Sequence, residues 1–499
     1  MTPSQSISLY QLLANHKLFN KTINFDLKRI KLVLKKLNHP ERKLNNVINI
    51  LGSSGKFTTL HSLKCFIEHN NQTATAFISP SIKTISERFW MGDRYLTNKE
   101  IRYSIKIIEK LKIPLTIFEV LTVIFILNAS KQDVAYNLVE SGALFAKDST
   151  NVFNFPRAQV IVNINKQHLN FLDKNKKTLD EVIYQKVGFL SNFTNIYVGK
   201  QTPYVLNKIK DNLKNNKSKI YYPNYWKLVK INNQSFYQDS NHKIRLNNKN
   251  IRSKGLLENL CHAIRIALDL KIEKKVIKKA IPKISFEGRF QYINKGKIKT
   301  KLHKNEKIML DGAHAEADAI NMSDYLKKIK EPKYAIWAMM KNKEPDLFIK
   351  QFKGIFKKII TTPIENEKNC MSARELKSIA KKNHFNVEIA NNFDEAIKSK
   401  CGNDIDLSEY TDKDYWNYGY KTDDKQRNIN NRYYDIRLTP KDESVFKKLW
   451  LRSYIKDLSE IVSNIRKVTN NTKQVYLLII NKLKENDSYL NRDLKTPKT

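Results

Sequence analysis

Cysteine is scarce in this chain of 499 residues, which has Cys65, Cys261, Cys370 and Cys401 and no Cys-x-x-Cys pair. Thiols so few and so far apart exclude a disulfide scaffold and a cysteine zinc site. They are typical of a protein kept in a reducing compartment, and we therefore expect a cytoplasmic protein.

Long apolar runs are also lacking. The most apolar stretch, residues 115–127, is too short to span a bilayer and contains Glu119, so we interpret it as a buried helix. The first residues lack the basic and then apolar layout of a signal peptide. We expect no association with a membrane.

Acidic residues are few: 49 Asp and Glu stand against 90 Lys and Arg, a formal net charge of +41. Such a charge is typical of proteins that bind nucleic acid. Here, however, Lys, Asn and Ile abound along the whole chain, as codon bias in an AT-rich genome would produce. Neither a separate basic block nor a zinc-finger spacing is present. We therefore do not expect nucleic acid as a partner, although a basic surface attracts anionic substrates.

A glycine loop follows the strand-like run Val47–Leu51. Residues 51–59 read Leu-Gly-Ser-Ser-Gly-Lys-Phe-Thr-Thr and lead into a helical segment over 60–68. Strand, glycine loop and helix are the context of a phosphate-binding loop, in which backbone amides and one lysine hold phosphate oxygens. A Walker A motif has glycine at position 50 and Ser or Thr at 57, where this chain has Ile50 and Phe57. A plain turn with a surface lysine remains the alternative.

Runs of strand length alternate with helical stretches from residue 47 onward, after a helical segment that His39-Pro40 ends. The predicted strands are Val47–Leu51, 75–78, 135–139, 159–164 and Asn195–Val198. This alternation predicts an α/β fold with a parallel sheet covered by helices on both faces. In such sheets ligands lie beyond the carboxyl ends of the strands.

Polar side chains follow the predicted strands. Lys56 and Thr58 follow the first, Ser79 the second, Glu140 the third and His168 the fourth. A hydroxyl, a carboxylate and an imidazole at neighbouring strand ends can coordinate a magnesium ion that bridges nucleotide phosphates. Each has a structural alternative as a turn cap, a solvated carboxylate or a core hydrogen-bond partner. Their shared position favours a nucleotide site.

In order and spacing, these motifs resemble the folylpolyglutamate synthase/dihydrofolate synthase family of the Mur ligase superfamily, over about residues 20–400. Residues 25–30 look like the segment that lies beside the pterin site in that family. The other matching segments, with the family pattern in parentheses, are 52–58 (G-T-N-G-K-G-S), 78–88 (T-S-P-H…E-R), 116–119 (T-x-F-E), 140–151 (E-V-G-L-G-G-R-x-D-A-T-N), 163–168 (N-I-x-x-D-H), 185–188 (E-K-A-G), 288–290 (G-R-F), 311–314 (D-G-A-H) and 338–343 (G-x-M-x-D-K).

The resemblance implies a Mur-ligase-type P-loop ATP-binding domain over residues 1–284, with folate- or pteroate-binding segments. It implies a smaller Rossmann-like glutamate-ligase domain over residues 285–402. Strands predicted in the second domain are Ile308–Leu310, 334–338, 358–362 and Val387–Ile389. Residues 403–499 form a basic extension with an amphipathic helical pattern after Thr439-Pro440, to which we assign no function.

The activity implied is that of an ATP-dependent ligase. It transfers the γ-phosphoryl group of ATP to a pteroate or folate carboxylate, and L-glutamate then attacks the acyl phosphate. The substrates would be ATP, glutamate and dihydropteroate or reduced folate, with Mg²⁺ as the metal, and we expect a monomer. In relatives the lysine that matches Lys186 is carbamoylated.

Site roles follow from the same resemblance. The implied catalytic residues are Lys56, His168, Lys186 and Arg289. The implied ATP-binding residues are Gly52, Ser53, Ser54, Gly55, Lys56, Phe57, Thr58, Arg289, Asp311 and His314. The implied metal ligands are Thr58, Ser79, Glu140 and His168.

Several positions depart from the family pattern. Phe57 replaces a loop glycine and is expected to crowd the nucleotide, residues 143–146 replace L-G-G-R, Gln167 replaces an aspartate and Ala315 an asparagine. The helix at 258–263 lacks an asparagine that would contact ATP. These changes leave two alternatives: a Mur-type amide ligase for another acid, and a non-catalytic binding protein that keeps the fold. Only 51 residues precede the loop, which argues against the precursor-binding domain of a Mur enzyme.

Overall fold

The computed structural model describes residues 9, 12–14, 16–20, 25–302, 305–365, 367 and 369–400, together with the backbone of 428–431 and 434–437. Met1–Lys400 form one compact unit and Cys401–Thr499 a second. In the second, the described strands Asn428–Asn431 and Tyr434–Arg437 pair antiparallel. The helix predicted after Thr439 lies outside the described residues.

The described strands of the first unit alternate with helices along most of the chain. In chain order they are β1 (Phe19–Asn20), β2 (Val47–Leu51), β3 (Ala74–Phe77), β4 (Phe89–Met91), β5 (Leu115–Thr116), β6 (Tyr136–Glu140), β7 (Ala158–Ile161), β8 (Asn195–Val198), β9 (Lys219–Tyr221), β10 (Lys227–Ile231), β11 (Gln234–Gln238), β12 (Lys243–Arg245), β13 (Gln291–Ile293), β14 (Ile308–Leu310), β15 (Tyr334–Trp337), β16 (Lys358–Thr361) and β17 (Val387–Ile389).

The described α-helices are α1 (Leu27–Lys36), α2 (Lys56–His69), α3 (Asn98–Lys110), α4 (Ile117–Ala129), α5 (Leu179–Val187), α6 (Pro203–Asn212), α7 (Lys254–Asp269), α8 (Lys274–Ala280), α9 (Lys297–Thr300), α10 (Glu316–Leu326), α11 (Pro345–Lys350), α12 (Ala373–Lys382) and α13 (Phe393–Lys400). Short 3₁₀ turns occur at Pro40–Lys43, Ile85–Arg88, Phe145–Lys147, Leu169–Phe171, Lys174–Lys176 and Ile281–Lys283.

The largest sheet has seven strands in the order β4-β3-β6-β2-β7-β8-β9. All neighbours are parallel except β4, which pairs antiparallel with β3 at the edge. The predicted α/β class and parallel sheet are confirmed. The predicted bounds of β2 and β8 agree with the structure, whereas those of β3, β6 and β7 differ by up to three residues.

The central strand β2 is buried along its whole length because helices cover both faces of the sheet. Its alternate side chains enter different cores: Ile48 and Ile50 pack with α2, α7 and α8, whereas Val47 packs with α1, α3 and α4. The side chains that follow the strand are thereby held at one edge of a rigid layer.

The apolar stretch at 115–127 contributes the buried helix α4, as predicted. Glu119 is tolerated there because it belongs to a capping box: its carboxylate accepts from the Thr116 amide at 2.7 Å, and its own amide donates to Thr116 Oγ1 at 3.3 Å. Arg29 also lies 3.2 Å from the Glu119 carboxylate. Among the described helices, none combines the length and the apolar character needed to cross a bilayer.

Residues 291–400, here called the small lobe, contain the parallel sheet β15-β16-β17 and helices α10 to α13. Residues 25–285, the large lobe, contain the seven-stranded sheet, and residues 286–290 form the linker between the lobes. Trp337, Phe348, Phe352 and Leu376 are buried together in the small lobe. The domain boundary predicted at residue 284 stays a prediction.

Candidate active site

A cavity of about 890 Å³ lies between the two lobes. Its walls come from the glycine loop, from the segments that follow β3, β6 and β7, and from the linker and the start of the small lobe. These segments meet because the carboxyl ends of parallel strands share one edge of the sheet. The volume is typical of pockets that enclose a ligand of nucleotide size.

The glycine loop joins β2 to α2 through two residues of positive φ, Gly52 (138°) and Gly55 (102°). A Cβ atom on Gly55 would lie 2.6 Å from the Asn259 amide, so a larger residue does not fit. The amides of Ser53 and Ser54 donate to the Asn163 carbonyl at 2.8 and 3.2 Å. Gly55 is the N-cap of α2 and supplies no side chain to the amides of the first turn, which are therefore available to an anion.

Lys56 lies at the start of α2 and lines the cavity. Its Nζ donates to the carbonyls of Gly52 at 3.2 Å and Ser53 at 3.4 Å, so the side chain folds back over its own loop. Phosphate oxygens in the loop would offer this ammonium group stronger, charged acceptors than the two carbonyls.

Phe57 also lines the cavity, but its ring has protein neighbours. It stacks on His61 with 5.6 Å between ring centroids and meets the edge of Phe286 at 6.4 Å. These contacts hold the ring against the linker. We therefore expect Phe57 to crowd the nucleotide less than the replacement of glycine predicts.

Glu140 ends β6 and is buried against the segment that follows β3. Its carboxylate accepts from the Ser79 amide at 3.1 Å, and Ser79 Oγ accepts from Arg88 Nη1 at 3.1 Å. Burial raises the pKa of Glu140 above its ordinary value, an effect that the charge of Lys56 offsets in part. A buried carboxyl group is costly to ionise, and a divalent cation beside it would favour the ionised form. Glu140 therefore suits the role of a metal ligand.

His168 presents a neutral imidazole to the same cavity. Burial, with the charges of Lys186 and Lys56 in addition, lowers the pKa of His168 to about 2. Its Nδ1 is buried and makes no hydrogen bond with the described residues. A neutral imidazole whose buried Nδ1 has no hydrogen-bond partner among the described residues suits a metal ligand.

Thr58 completes the predicted metal set: Thr58 Oγ1 donates to the Gly55 carbonyl at 3.0 Å. Within the described part of the chain, no three His, Cys, Asp or Glu side chains cluster as a metal site of their own. Magnesium would therefore rest on Glu140, His168, the hydroxyls of Thr58 and Ser79, and phosphate oxygens. Such a ligand set agrees with the usual coordination of magnesium, which takes few protein ligands together with phosphates and water.

Lys186 is buried on α5, behind the glycine loop. Its Nζ donates to the Gly52 carbonyl at 2.9 Å and to the Ala143 carbonyl, and burial places its pKa well below the ordinary value. Neither Lys186 nor Gly52 is among the described residues that line the cavity. A carbamate at this nitrogen would bring negative oxygens against two carbonyls. In this arrangement the amine is a donor that holds the loop, and the carbamoylation implied by the resemblance stays a prediction.

Arg289, Asp311 and His314 reach the cavity from the linker and the small lobe. Asp311 accepts from the amides of Phe290 and Ala313, both at 2.7 Å, while Arg289 Nη1 donates to the Gly288 carbonyl at 2.8 Å. The structure thereby brings the predicted site residues to one cavity, apart from Gly52 and Lys186 directly behind it. Their roles remain predictions.

The chain is similar to known enzymes in sequence and in fold. No protein-family model matches the chain. The chain is 26% identical over 333 residues to the dihydrofolate synthase/folylpolyglutamate synthase of Buchnera aphidicola, which covers 65% of this chain and 75% of that protein. The chain is thus similar in sequence to dihydrofolate synthase/folylpolyglutamate synthases. The resemblance predicted from the motifs is confirmed.

Solved structures of the family share the fold. FolC of E. coli in complex with DHPP and ADP superposes with a TM-score of 0.69 at 18% identity, covering 81% of this chain and 93% of FolC. A bifunctional folylpolyglutamate synthase/dihydrofolate synthase with Mn, AMPPNP and L-glutamate bound gives a TM-score of 0.68 at 18% identity, with the same coverage. The family fold therefore extends over most of this chain.

Asn259 and Lys343 also line the cavity, although neither is among the predicted site residues. Asn259 Nδ2 donates to Thr58 Oγ1 at 2.9 Å from α7. Lys343 follows β15, and burial lowers its pKa. Both lie within segments that resemble family motifs, so the motif matches were the available signal. Their contacts depend on long-range packing, which periodicity does not show.

Replacing Asn259 by alanine should weaken nucleotide binding by about 2- to 10-fold, because Thr58 loses the donor that orients its hydroxyl. The measurement is calorimetric titration with AMPPNP and magnesium. Asn212→Ala is the control, since that amide donates at 2.7 Å to a carbonyl of its own helix on the outer surface. Equal affinities of the Asn259 variant and the unaltered chain would contradict the prediction.

Asp311 should make stability fall with rising pH. Burial raises the pKa of Asp311 from 3.8 to about 6, so the folded protein holds this proton more tightly than the unfolded chain. The folded state therefore loses stability as pH rises from 3.8 through about 6, and the loss is complete above that value. Asp311→Asn lacks this ionisation.

Urea unfolding across that range tests the linkage. The free energy of unfolding of Asp311→Asn, minus that of the unaltered chain, should increase as pH rises and then level off. Any constant offset caused by the substitution itself cancels in this pH dependence. A difference that does not vary with pH would show that the carboxyl group titrates normally.

Proposed function

We propose that this chain is an ATP-dependent ligase that activates a pteroate or folate carboxylate as an acyl phosphate and joins it to L-glutamate. One observation carries the proposal: a single cavity between the lobes collects the glycine loop, Glu140 and His168 from one side and Arg289 and Asp311 from the other. Similarity to dihydrofolate synthase/folylpolyglutamate synthases, and the ligands named for the similar solved structures, support the same reaction.

The first step moves the γ-phosphoryl group of ATP to an oxygen of the acid substrate, and the bond to ADP breaks as the new P–O bond forms. Lys56 and the first amides of α2 would hold the β- and γ-phosphates as charge shifts to ADP. A magnesium ion held by Thr58, Ser79, Glu140 and His168 would neutralise part of that charge. Arg289 adds a cation from the linker.

In the second step the amine of glutamate attacks the acyl carbon. Phosphate leaves with the electron pair of the C–O bond, and the amine nitrogen gives up its proton as the amide forms. Closure of the two lobes around the cavity would exclude water, which otherwise hydrolyses the acyl phosphate.

An apolar end of the cavity suits an aromatic acid. Phe25, Phe118 and Phe171 line it, and the rings of Phe25 and Phe171 meet edge to face at 5.3 Å. Planar aromatic ligands gain both buried area and favourable ring geometry between such side chains. This supports a pterin-bearing substrate in preference to the different acid of a Mur-type ligase.

Release of ADP tests the proposal. Purified protein with ATP and magnesium is given dihydropteroate plus glutamate, or reduced folate plus glutamate, with each substrate omitted in turn. ADP that depends on both the acid and glutamate is the expected result in at least one arm. AMPPNP binding without turnover in either arm would favour another acid, and absence of both would favour the non-catalytic alternative. We further propose a monomer that acts in the cytoplasm, with the oligomeric state to be read by light scattering.

A further inference from the structure

The five-residue linker contacts three segments that border the cavity: the start of α2, the segment after β3 and the start of the small lobe. Phe286 is buried at 3% exposure, and its ring lies 6.4 Å from that of Phe57 and 5.9 Å from that of His61. Glu287 pairs with Lys83, four residues beyond Ser79, at 2.7 Å. The Gly288 carbonyl accepts from Gly312 of the small lobe at 2.9 Å.

We propose that Phe57 is a positioning residue that couples the glycine loop to the linker, so that nucleotide in the loop and the position of Arg289 depend on each other. The inference rests on the proposed ligase function for its consequence in catalysis. Its structural basis, the cluster of Phe57, His61 and Phe286, stands on contacts alone.

Position in the chain gives Phe57 this role. It follows Lys56 and precedes Thr58, so a shift of its ring moves the first turn of α2 that both residues belong to. On the other side, Phe286 stands three residues before Arg289 in a segment whose backbone is tied to Asp311 through Phe290. A ring contact between the two segments therefore joins the phosphate end of the cavity to the arginine that enters it.

His61 completes the cluster with a neutral ring. It lies one helical turn after Phe57, stacks on that ring and meets Phe286 edge to face. Burial, with Lys64 in addition, lowers the pKa of His61 to about 4, so the imidazole stays neutral near physiological pH. Lys83 and Glu287 flank the cluster as an exposed pair that links the Ser79 segment to the same linker.

A purely structural role would give a different result. Phe57 also packs on the core of the large lobe, so its loss would lower stability in either case. Coupling, in contrast, requires that Phe57 and Phe286 act on nucleotide binding through each other. A double-mutant cycle separates the two cases because independent effects multiply and coupled effects do not.

The experiment compares Phe57→Leu, Phe286→Leu and the double variant of the full chain. AMPPNP with magnesium is titrated by calorimetry, and KM for ATP and kcat are measured with the active substrate pair. Each single variant should weaken AMPPNP binding by about 3- to 10-fold. KM for ATP should rise more than kcat falls, and the double variant should be no weaker than the weaker single variant.

Two controls define the outcome. Phe57→Tyr keeps the ring and should retain the affinity of the unaltered chain. Phe356→Leu removes a partly buried ring that pairs with Phe352 at 5.4 Å in the small lobe, and it should lower the melting temperature without changing AMPPNP affinity. Multiplicative effects of the two leucine substitutions, or unchanged affinity in Phe57→Leu, would overturn the coupling. AMPPNP binding needs no turnover, so this failure is distinguishable from failure of the ligase proposal.

Discussion

Replacing Lys56 by alanine should lower kcat/KM for ATP by about 10²- to 10³-fold, the loss typical when one preorganised donor to a developing charge is removed. The side chain follows the turn at Gly55 and already lies against the carbonyls of Gly52 and Ser53. No backbone amide can replace it, because the reach to the outer phosphates comes from its four-carbon stem.

The measurement is ADP release under saturating acid and glutamate, with AMPPNP titration in parallel. Lys177→Ala, at an exposed lysine outside the cavity, is the matched control and should be fully active. Among the described residues, the Lys56 ammonium group donates to carbonyls of its own loop, so we expect the melting temperature to change little. Full turnover in Lys56→Ala would remove the phosphate role from the glycine loop.

Glu140→Gln should lower the turnover rate by about 10²-fold or more. The amide keeps the shape of the carboxylate but lacks the charge that a metal ion needs. The glutamine oxygen can still accept from the Ser79 amide, as the carboxylate does at 3.1 Å. Loss of activity would therefore report the charge and not a collapse of the β3 and β6 ends.

The same substitution should not lower the stability of the protein without ligands. Burial raises the pKa of Glu140 above 4.5, so ionisation destabilises the folded protein as pH rises past that value. Without ligands, Glu140→Gln should thus be at least as stable as the unaltered chain at neutral pH. Magnesium with AMPPNP should raise the melting temperature of the unaltered chain and fail to raise that of the variant.

Glu388→Gln is the control for this substitution, because Glu388 pairs with Lys358 at 2.7 Å on the small lobe. It should leave the magnesium-dependent rise in melting temperature intact. A Glu140→Gln protein that is strongly destabilised without ligands, or stabilised normally by magnesium and AMPPNP, would argue against Glu140 as a metal ligand.

The edge of the sheet where the site lies could be predicted because one physical rule covers all of its strands. Parallel strands carry their carboxyl ends to the same side, so Lys56, Ser79, Glu140 and His168 had to lie near one another once the alternation was recognised. The bounds of β2 were predictable because an apolar run ends sharply at Gly52.

Strands with little burial were missed. β9, β10 and β12 carry lysines, β11 begins and ends with glutamine, and all four lack a buried apolar run. Their pairing is therefore set by neighbours and not by composition. The antiparallel edge strand β4 has three residues, too few to show a period.

The orientation of long side chains was equally beyond the sequence. The resemblance implied a catalytic role for Lys186, but only the fold shows its Nζ behind the loop, bonded to Gly52 and Ala143. The contact of Asn259 with Thr58 depends on how α7 crosses α2, over a separation of 201 residues. The motif at Phe57 indicated a departure from glycine, whereas its ring partner Phe286 comes from a segment more than two hundred positions away.

The bonds from the Ser53 and Ser54 amides to the Asn163 carbonyl mean that protein contacts hold this turn in its folded shape. Two of its N–H groups are consequently occupied by protein, and ligand contacts fall to the amides that begin α2. Deuterium uptake should therefore be slow at Ser53 and Ser54 with or without AMPPNP, and should slow at Lys56 to Thr58 when the analogue is added. Binding of the nucleotide would therefore cost little conformational entropy, because protein contacts already order the turn.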